Sequence, residues 1–323
     1  MKNIFKKLLR WPAFPALALL IFFIIINQML SPGYLNKSFI SSFLSANVPL
    51  IIVSIGVSVI LIGGGIDISM GSLLCLINVV YVTLAGLGYS LLVSVITSLL
   101  VGLVGGMING LCVAVFRVTP LLTTFATSSV FAGIALWIMP EPTGMIQTEM
   151  IKWFFTFLGG FGAPLLFLLV AILLWVVVKN TKMGTWIYAV GMNKQSTYVS
   201  GVPVRGVTFF MYSFSGLITG LGGVAMTSYI GAGDPLIAAS MTMSVIAACV
   251  IGGILLSGGI GDAVGSIFGA VFLGLVITTV LSSVKDSFFH NFVQGIIMLI
   301  GVVGSIYLAD TIKKIRIEGG GKK

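Results

Sequence analysis

The residue types that most often perform chemistry are sparse in this sequence, which has three cysteines and one histidine. Cys75, Cys112 and Cys249 lie far apart inside apolar stretches, without the spacing of a metal site or of a disulfide framework. His290 lies in a short polar break, where a solvated loop residue is a better interpretation than a catalytic base. These spacings predict no catalytic residue, no metal and no cofactor.

Groups that would supply energy for a reaction are missing as well. The sequence has no Gly-x-x-x-x-Gly-Lys-Ser/Thr loop, the motif that cradles the phosphates of ATP. Ion-coupled carriers usually keep ionisable side chains deep in the membrane. Here the aspartates map to helix ends or loops: Asp67, Asp234, Asp262, Asp286 and Asp310. We therefore expect that this chain is not an enzyme and that any energy source lies on another chain.

A few polar residues lie in or beside long apolar stretches: Asn47, Asn78, Thr124, Thr127 and Ser244. Hydroxyl and amide groups at such positions can replace water along a pathway for a small hydroxylated solute. The same side chains also join membrane helices to one another through hydrogen bonds. Both interpretations are open at this point, and packing is the more frequent role.

The composition places these residues in a membrane protein. Of 323 residues, 58% are hydrophobic and 8% are charged, whereas a soluble domain has about 25% charged residues. The mean hydropathy is +1.18, and a helix needs about 20 apolar residues to cross a membrane. We predict an all-α integral membrane protein of about ten spans: one from Trp11, and others near 48–62, 68–87, 90–115, 120–139, 163–179, 207–230, 238–256, 263–284 and 290–309.

The basic residues predict the orientation of these spans. With the N-terminus inside, fourteen basic residues lie on the cytoplasmic side, and only Lys37, Lys152 and Lys285 lie outside. The net charge of +9 is therefore read as a topology signal and not as a nucleic-acid surface. We expect a multi-pass protein of the cell membrane, with both termini cytoplasmic and lipid as its surroundings.

A glycine-rich segment occurs twice. Residues 64–73 read GGIDISMGSL and residues 258–267 read GGIGDAVGSI, with five of ten positions identical. Glycine-broken segments in two halves of a membrane chain are typical of transporters, although two unrelated glycine-rich turns would look similar. We predict an internal pseudo-repeat whose turns form a cytoplasmic gate, built on Gly64, Gly65, Asp67, Ser69 and Gly71 and on Gly258, Gly259 and Gly261.

The longest predicted cytoplasmic loop, residues 180–206, has helix signals of its own. Asn193 is a plausible N-cap, Gly201 is a plausible C-terminal stop, and Pro203 follows it. A short capped helix in such a loop suits a docking element for a partner. An interfacial connector that merely joins two halves of the chain would show similar signals.

Several segments together resemble the permease subunits of ribose-type ATP-binding-cassette importers. They are GGIDISMGS at 64–72, AVGMN at 189–193, SGVPV at 200–204, AACVIGG at 247–253 and GGIG at 258–261. The resemblance implies a single permease domain over residues 1–323, a second permease as partner, and an extracytoplasmic solute-binding protein. It also implies that a cytoplasmic ATP-binding subunit docks on the loop 180–206, around Gly191, Asn193, Lys194, Ser196, Tyr198, Ser200 and Gly201.

Departures from the family pattern concern the solute and the partner. Many sugar permeases of this family have acidic residues where this sequence has Thr242 and Ser244, and an arginine in place of Ala132. The stretch 118–136 is more similar to one of the two permeases of the autoinducer-2 importer, so a homodimer and a heterodimer both remain possible. The solute may be ribose, another sugar, a nucleoside or autoinducer-2. The competing hypothesis is a self-sufficient secondary carrier for a small polar solute.

Overall fold

Helices make up most of the described chain. The computed structural model describes residues 13–30 and 35–283, together with positions 292, 295, 296, 299, 300 and 303. The α-helices in these residues are α1 (Phe14–Leu30), α2 (Lys37–Ile62), α3 (Met70–Gly86), α4 (Leu91–Ala114), α5 (Pro120–Ile138), α6 (Thr148–Thr156), α7 (Gly162–Lys179), α8 (Lys182–Met192), α9 (Lys194–Val199), α10 (Val204–Ile230), α11 (Met241–Ile251) and α12 (Ala263–Ser283).

The predicted spans agree with the apolar helices in most places. Helices α2, α4, α5, α7 and α10 are long and apolar enough to cross a membrane, and α1, α3, α11 and α12 are shorter apolar helices. The boundaries predicted for α3, α4, α5, α7, α10 and α12 are within a few residues of those observed. The predicted span at 290–309 lies outside the described residues, apart from isolated positions. The described part of the chain is therefore a mostly helical membrane protein.

Two predicted boundaries are wrong. The span predicted to begin at 48 begins at Lys37, because the Asn36 side chain accepts the backbone N–H of Phe39 at 2.7 Å and caps the helix. The polar residues that hid this start are accommodated inside the helix, where the Asn47 amide donates to the Phe43 carbonyl at 3.0 Å. The span predicted over 238–256 is only Met241–Ile251, because glycines end the helix directly after Ile251.

Helices α2 and α10 form the centre of the protein. In α2, 94% of the most apolar 18-residue stretch is buried, and in α10 72%, against 28% in α4 and 22% in α5. The central packing depends on glycine. A Cβ atom at Gly102 of α4 would lie 2.6 Å from the carbonyl oxygen of Gly216 in α10. The small-residue spacing predicted from the sequence thus brings the backbones of two helices into direct contact.

Two small elements were not predicted. Strands β1 (Thr143–Met145) and β2 (Ala232–Gly233) form an antiparallel pair, and α6 lies in the same connection as β1. The loop 180–206 contains two helices, α8 and α9, where the sequence predicted one. Both short elements are brief and amphipathic or polar, and a span-length hydropathy signal does not detect them.

Candidate coupling and gate site

The first glycine turn, the connector 63–69, begins with a helix-ending Schellman motif. The Gly65 N–H donates to the Ile60 carbonyl and the Gly64 N–H to the Leu61 carbonyl, both at 2.9 Å. Gly64 has φ +74°, a left-handed conformation that glycine adopts without the strain of a side chain. Helix α2 therefore stops here, and the chain turns directly into α3.

The second connector, residues 252–262, ends α11 in the same way but at a different glycine. The Ile254 N–H donates to the Cys249 carbonyl at 3.1 Å and the Gly253 N–H to Val250 at 2.9 Å, with Gly253 at φ +83°. Gly253 is therefore the structural counterpart of Gly64. The sequence echo had matched Gly64 with Gly258, so the letters and the backbone roles of the two copies are out of register.

Gly258 and Gly259 lie in a further turn within this longer connector. The Gly258 N–H donates to the Leu255 carbonyl at 3.0 Å, and both glycines have positive φ, +87° and +76°. The turn is presented to the end of α2, where the Gly259 N–H donates to the Ile62 carbonyl at 2.7 Å. One copy of the echo thus contacts the helix that leads into the other copy.

Gly191, at the end of α8, completes this contact. A Cβ atom at Gly191 would collide with the Ile62 carbonyl oxygen and lie 2.6 Å from the Gly259 nitrogen, and a Cβ at Gly258 would lie 2.7 Å from the Gly64 Cα. We call Gly64, Gly191, Gly258 and Gly259 the glycine junction. The sequence singled out each of these residues but did not predict that they meet.

Helix α9 projects beyond this junction. The Asn193 side chain accepts the Ser196 N–H at 2.9 Å, and Gly201, at φ +82°, closes a Schellman motif in which the Val202 N–H donates to Thr197. The predicted N-cap and helix stop are therefore confirmed. The apex is exposed and partly apolar: Met192, Tyr198 and Val199 are 75%, 71% and 81% exposed. Lys194, Ser196 and Ser200 are exposed beside them.

Helix α8 and the end of α7 also hold the second connector through side chains. The Tyr188 hydroxyl donates to the Gly261 carbonyl at 3.0 Å. Burial, and to a lesser degree the nearby Asp262 carboxylate, raises the pKa of Tyr188, so the hydroxyl keeps the proton that it donates. Asp262 forms an ion pair with Lys179 and accepts the indole N–H of Trp175 at 3.3 Å.

The first connector is held by a buried polar chain instead. Asp67 accepts the backbone N–H and the hydroxyl of Ser69, both at 2.7 Å. The Ser69 hydroxyl oxygen accepts from the Asn109 amide of α4 at 2.8 Å, and Asn109 accepts from the Thr127 hydroxyl of α5 at 2.6 Å. Burial raises the pKa of Asp67, and the two hydrogen bonds from Ser69 oppose that shift.

Comparison with known proteins assigns the family. The family model described as branched-chain amino acid transport system / permease component matches residues 39–302. This chain belongs to that permease family. The ribose import permease protein of Bacillus subtilis (strain 168) is 32% identical over 293 residues, 90% of this chain and 91% of the relative.

Two further relatives belong to Escherichia coli. The ribose import permease protein of strain K12 is 28% identical over 89% of the chain and 91% of the relative. The autoinducer 2 import system permease protein of O9:H4 (strain HS) is 30% identical over 84% of the chain and 82% of the relative. No solved structure matches the chain at a significant level. Family and apolar helices together make this a multi-pass membrane permease of the cell membrane.

The polar residues predicted to line a pathway have partners within this permease. Asn78 donates to the Thr227 hydroxyl at 3.0 Å and accepts the Asp234 N–H at 2.8 Å. Thr124 accepts the Ile68 N–H at 3.2 Å, while Thr127 belongs to the Asp67 chain described above. Asn47 bonds within its own helix, and Ser244 is buried in α11. These contacts suit helix packing, and a pathway role stays a prediction.

Sequence reasoning missed several residues of this permease's site. Asn109 and Tyr188 join helices to the two connectors, and Thr242 accepts the Gly71 N–H at 3.2 Å. None of them belongs to a motif whose spacing would have revealed the contact. Gly253 is different, because it lies in the AACVIGG segment directly after an apolar helical run, which is the position of a helix-ending glycine.

Proposed function

We propose that this permease is the transmembrane subunit of an ATP-binding-cassette importer for a sugar or sugar-like solute. The similar proteins of known function are import permeases for ribose and for autoinducer 2. The observation that carries the proposal is the glycine junction, where the loop 180–206 touches the connectors that end both α2 and α11. A permease driven from outside the membrane needs such a contact.

Residues 1–323 act as one permease domain with about ten spans and cytoplasmic termini. The charge asymmetry of the sequence supports this topology, and it places residues 180–206 in the cytoplasm as the coupling loop. The ATP-binding subunit binds the exposed apex around Asn193, Lys194, Ser196, Tyr198, Ser200 and Gly201. Hydrolysis takes place on that subunit, because this sequence has no phosphate-binding loop.

Movement of the apex reaches the membrane domain through the junction. Gly191 packs against the Ile62 carbonyl, so α8 cannot approach α2 without pushing on it. The Tyr188 hydrogen bond passes the same displacement to the second connector. From the first connector, the Asp67 chain continues to α4 and α5. The two turns thereby act as the gate of the pathway on the cytoplasmic side.

The other partners act on surfaces that this chain leaves free. A second permease, identical or not, packs on an outer helix, because α4 and α5 are the least buried of the long apolar helices in the described residues. An extracytoplasmic binding protein delivers the solute. Asn47, Asn78, Thr124, Thr127 and Ser244 are the candidate pathway residues, each of which would exchange its internal partner for a solute hydroxyl.

Substitution of Gly191 by alanine tests the junction, with Gly206→Ala as the matched control. A Cβ at Gly191 collides with Ile62, whereas a Cβ at Gly206 has its nearest contact at 3.9 Å. We expect Gly191→Ala to lower solute uptake and solute-stimulated ATP hydrolysis together by about tenfold, in the usual range of coupling free energies. The measurement is uptake into proteoliposomes that contain the complete importer.

The outcome that contradicts the proposal is equally direct. If liposomes with this chain alone accumulate a sugar when given a proton or sodium gradient, the chain is a secondary carrier. If Gly191→Ala retains full uptake and stimulation, the loop 180–206 is only a connector.

A further inference from the structure

A basic cleft lies beside the coupling loop. It has a volume of about 650 Å³ and is lined by Arg117, Tyr198, Pro203, Val204 and Arg205. Arg117 follows α4, Tyr198 belongs to α9, and Arg205 lies in the first turn of α10. The volume is within the range of about 300–1,000 Å³ that is usual for small-molecule sites.

Arg117 occupies a backbone position that normally belongs to glycine. The Val118 N–H donates to the Cys112 carbonyl at 3.1 Å, which places Arg117 at the left-handed position of a Schellman motif. Its φ is +58°, and among the described residues only Leu158 shares a positive φ without being glycine. An arginine at this position is strained, so its side chain must supply something that glycine would not.

The charge of the cleft is unbalanced. Neither Arg117 nor Arg205 forms an ion pair within the described ranges, and no acidic side chain lines the cleft. A guanidinium group presents planar donors that match the oxygens of a phosphate, and two of them around one cleft favour an anion of this type. The Tyr198 hydroxyl is a further donor at the rim.

The residues next to Arg117 indicate where that phosphate comes from. Val115 and Phe116 precede it and are 50% and 65% exposed, while Leu121 and Leu122 open α5 and are 55% and 62% exposed. Exposed apolar side chains of this size at the ends of membrane helices contact acyl chains. The cleft therefore lies at the boundary where lipid headgroups meet water.

We propose that this cleft binds the phosphate of an anionic phospholipid headgroup, with Arg117 and Arg205 as its ligands and the acyl chains along the exposed ends of α4 and α5. Basic pockets between helices at the cytoplasmic face are typical headgroup sites. The assignment to the cytoplasmic leaflet rests on the topology given under the proposed function, whereas the phosphate chemistry does not. A bound lipid would connect the end of α4 to the coupling loop.

The test measures lipid retention by the full chain alone, so it does not depend on transport. The purified protein is given equal amounts of phosphatidylglycerol and phosphatidylethanolamine, and bound lipid is counted by native mass spectrometry. The variant is Arg117→Gly/Arg205→Gln, in which glycine relaxes the strained position. The control, Lys182→Gln/Lys194→Gln, removes two exposed charges outside the cleft. We expect wild type and control to prefer phosphatidylglycerol, and the variant to retain about tenfold less of it.

Several results would overturn the proposal. Equal retention in variant and wild type means that the cleft holds no headgroup, and equal loss in variant and control means a diffuse charge effect. If inorganic phosphate alone displaces the phosphatidylglycerol, the ligand is free phosphate. If the variant retains lipid but no longer co-purifies with the ATP-binding subunit, the cleft is a protein contact. Should the double variant fail to fold, Arg205→Gln alone is compared with Lys194→Gln by the same criteria.

Discussion

The two connectors, 63–69 and 252–262, end their helices with the same motif and then diverge. In both, a left-handed glycine closes a Schellman motif, at Gly64 in one and at Gly253 in the other. The first connector goes directly into α3, whereas the second adds the turn at Gly258 and Gly259 before α12 begins. The shared part is local backbone geometry, and the added part is what reaches the other copy.

Their aspartates show the same division. Asp67 is buried and bonded to Ser69, at the head of a chain of neutral groups that leads to α4 and α5. Asp262 is partly exposed and paired with Lys179, next to the helix that carries the coupling loop. The second connector is thus built to receive the coupling loop, and the first to pass its position to the outer helices. The predictions below test that division.

The largest effect is expected from Gly259→Val. Its φ of +76° is unfavourable for a β-branched residue, and a Cβ there would lie 2.6 Å from Met192 Cγ. Strain and overpacking together predict a loss of about 2–5 kcal/mol in the free energy of unfolding, and loss of uptake. Gly65→Val should cost less, because its Cβ meets the Tyr212 hydroxyl at 2.8 Å without a positive φ. Thermal unfolding of the purified chain measures both.

A conservative change in the same turn is the control. Ile260 is exposed, so Ile260→Val should leave unfolding and uptake unchanged. Equal stability of Gly259→Val and Ile260→Val would show that the second turn does not bear on the junction.

The buried aspartate should respond next most strongly, and only to loss of its acceptor oxygen. In Asp67→Ala the Ser69 N–H is left unpaired in a buried site, which costs about 1–3 kcal/mol of stability. Asp67→Asn keeps an amide oxygen in place and has no basic partner to lose among the described residues, so it should be nearly neutral. Chemical unfolding of both variants beside wild type measures the difference. A severe Asp67→Asn phenotype would contradict the neutral chain and point to a charge partner.

How far the sequence predicts this site follows from the range of each interaction. Asn193 and Gly201 could be recognised because a cap acts within one turn of helix. The meeting of Gly191 with Ile62 and Gly259 could not, because it depends on how α8 packs on two distant segments. The match of Gly64 with Gly258 failed for a related reason, since identical letters do not fix which glycine ends a helix. Hydropathy found long spans but not the start of α2, where serines and Asn47 interrupt the apolar run.

The pH dependence of stability provides a smaller effect on the same comparison. Burial raises the folded pKa of Asp67 above its unfolded value of about 3.9. The native state therefore binds more protons between the two values, and the free energy of unfolding falls as the pH rises through this window. Relative to wild type, Asp67→Asn should be more stable at pH 7 than at pH 4. Melting temperatures of the two proteins at both pH values test this, and an unchanged difference would show that Asp67 is not desolvated.

The smallest effect is expected at the ion pair of the second connector. The Lys179 and Asp262 side chains are 39% and 15% exposed, so water screens their attraction and the pair should contribute about 0.2–1 kcal/mol. A double-mutant cycle of Lys179→Gln and Asp262→Asn measures this coupling, and Lys182→Gln, a nearby exposed cation, replaces the lysine variant in the control cycle. The coupling should shrink in high salt, because exposed charges are screened within a few ångströms. A salt-independent coupling above about 2 kcal/mol would mean that the second connector is held as rigidly as the first. The Tyr188 hydrogen bond and the glycine junction would then no longer be the contacts that decide whether the coupling loop moves the gate.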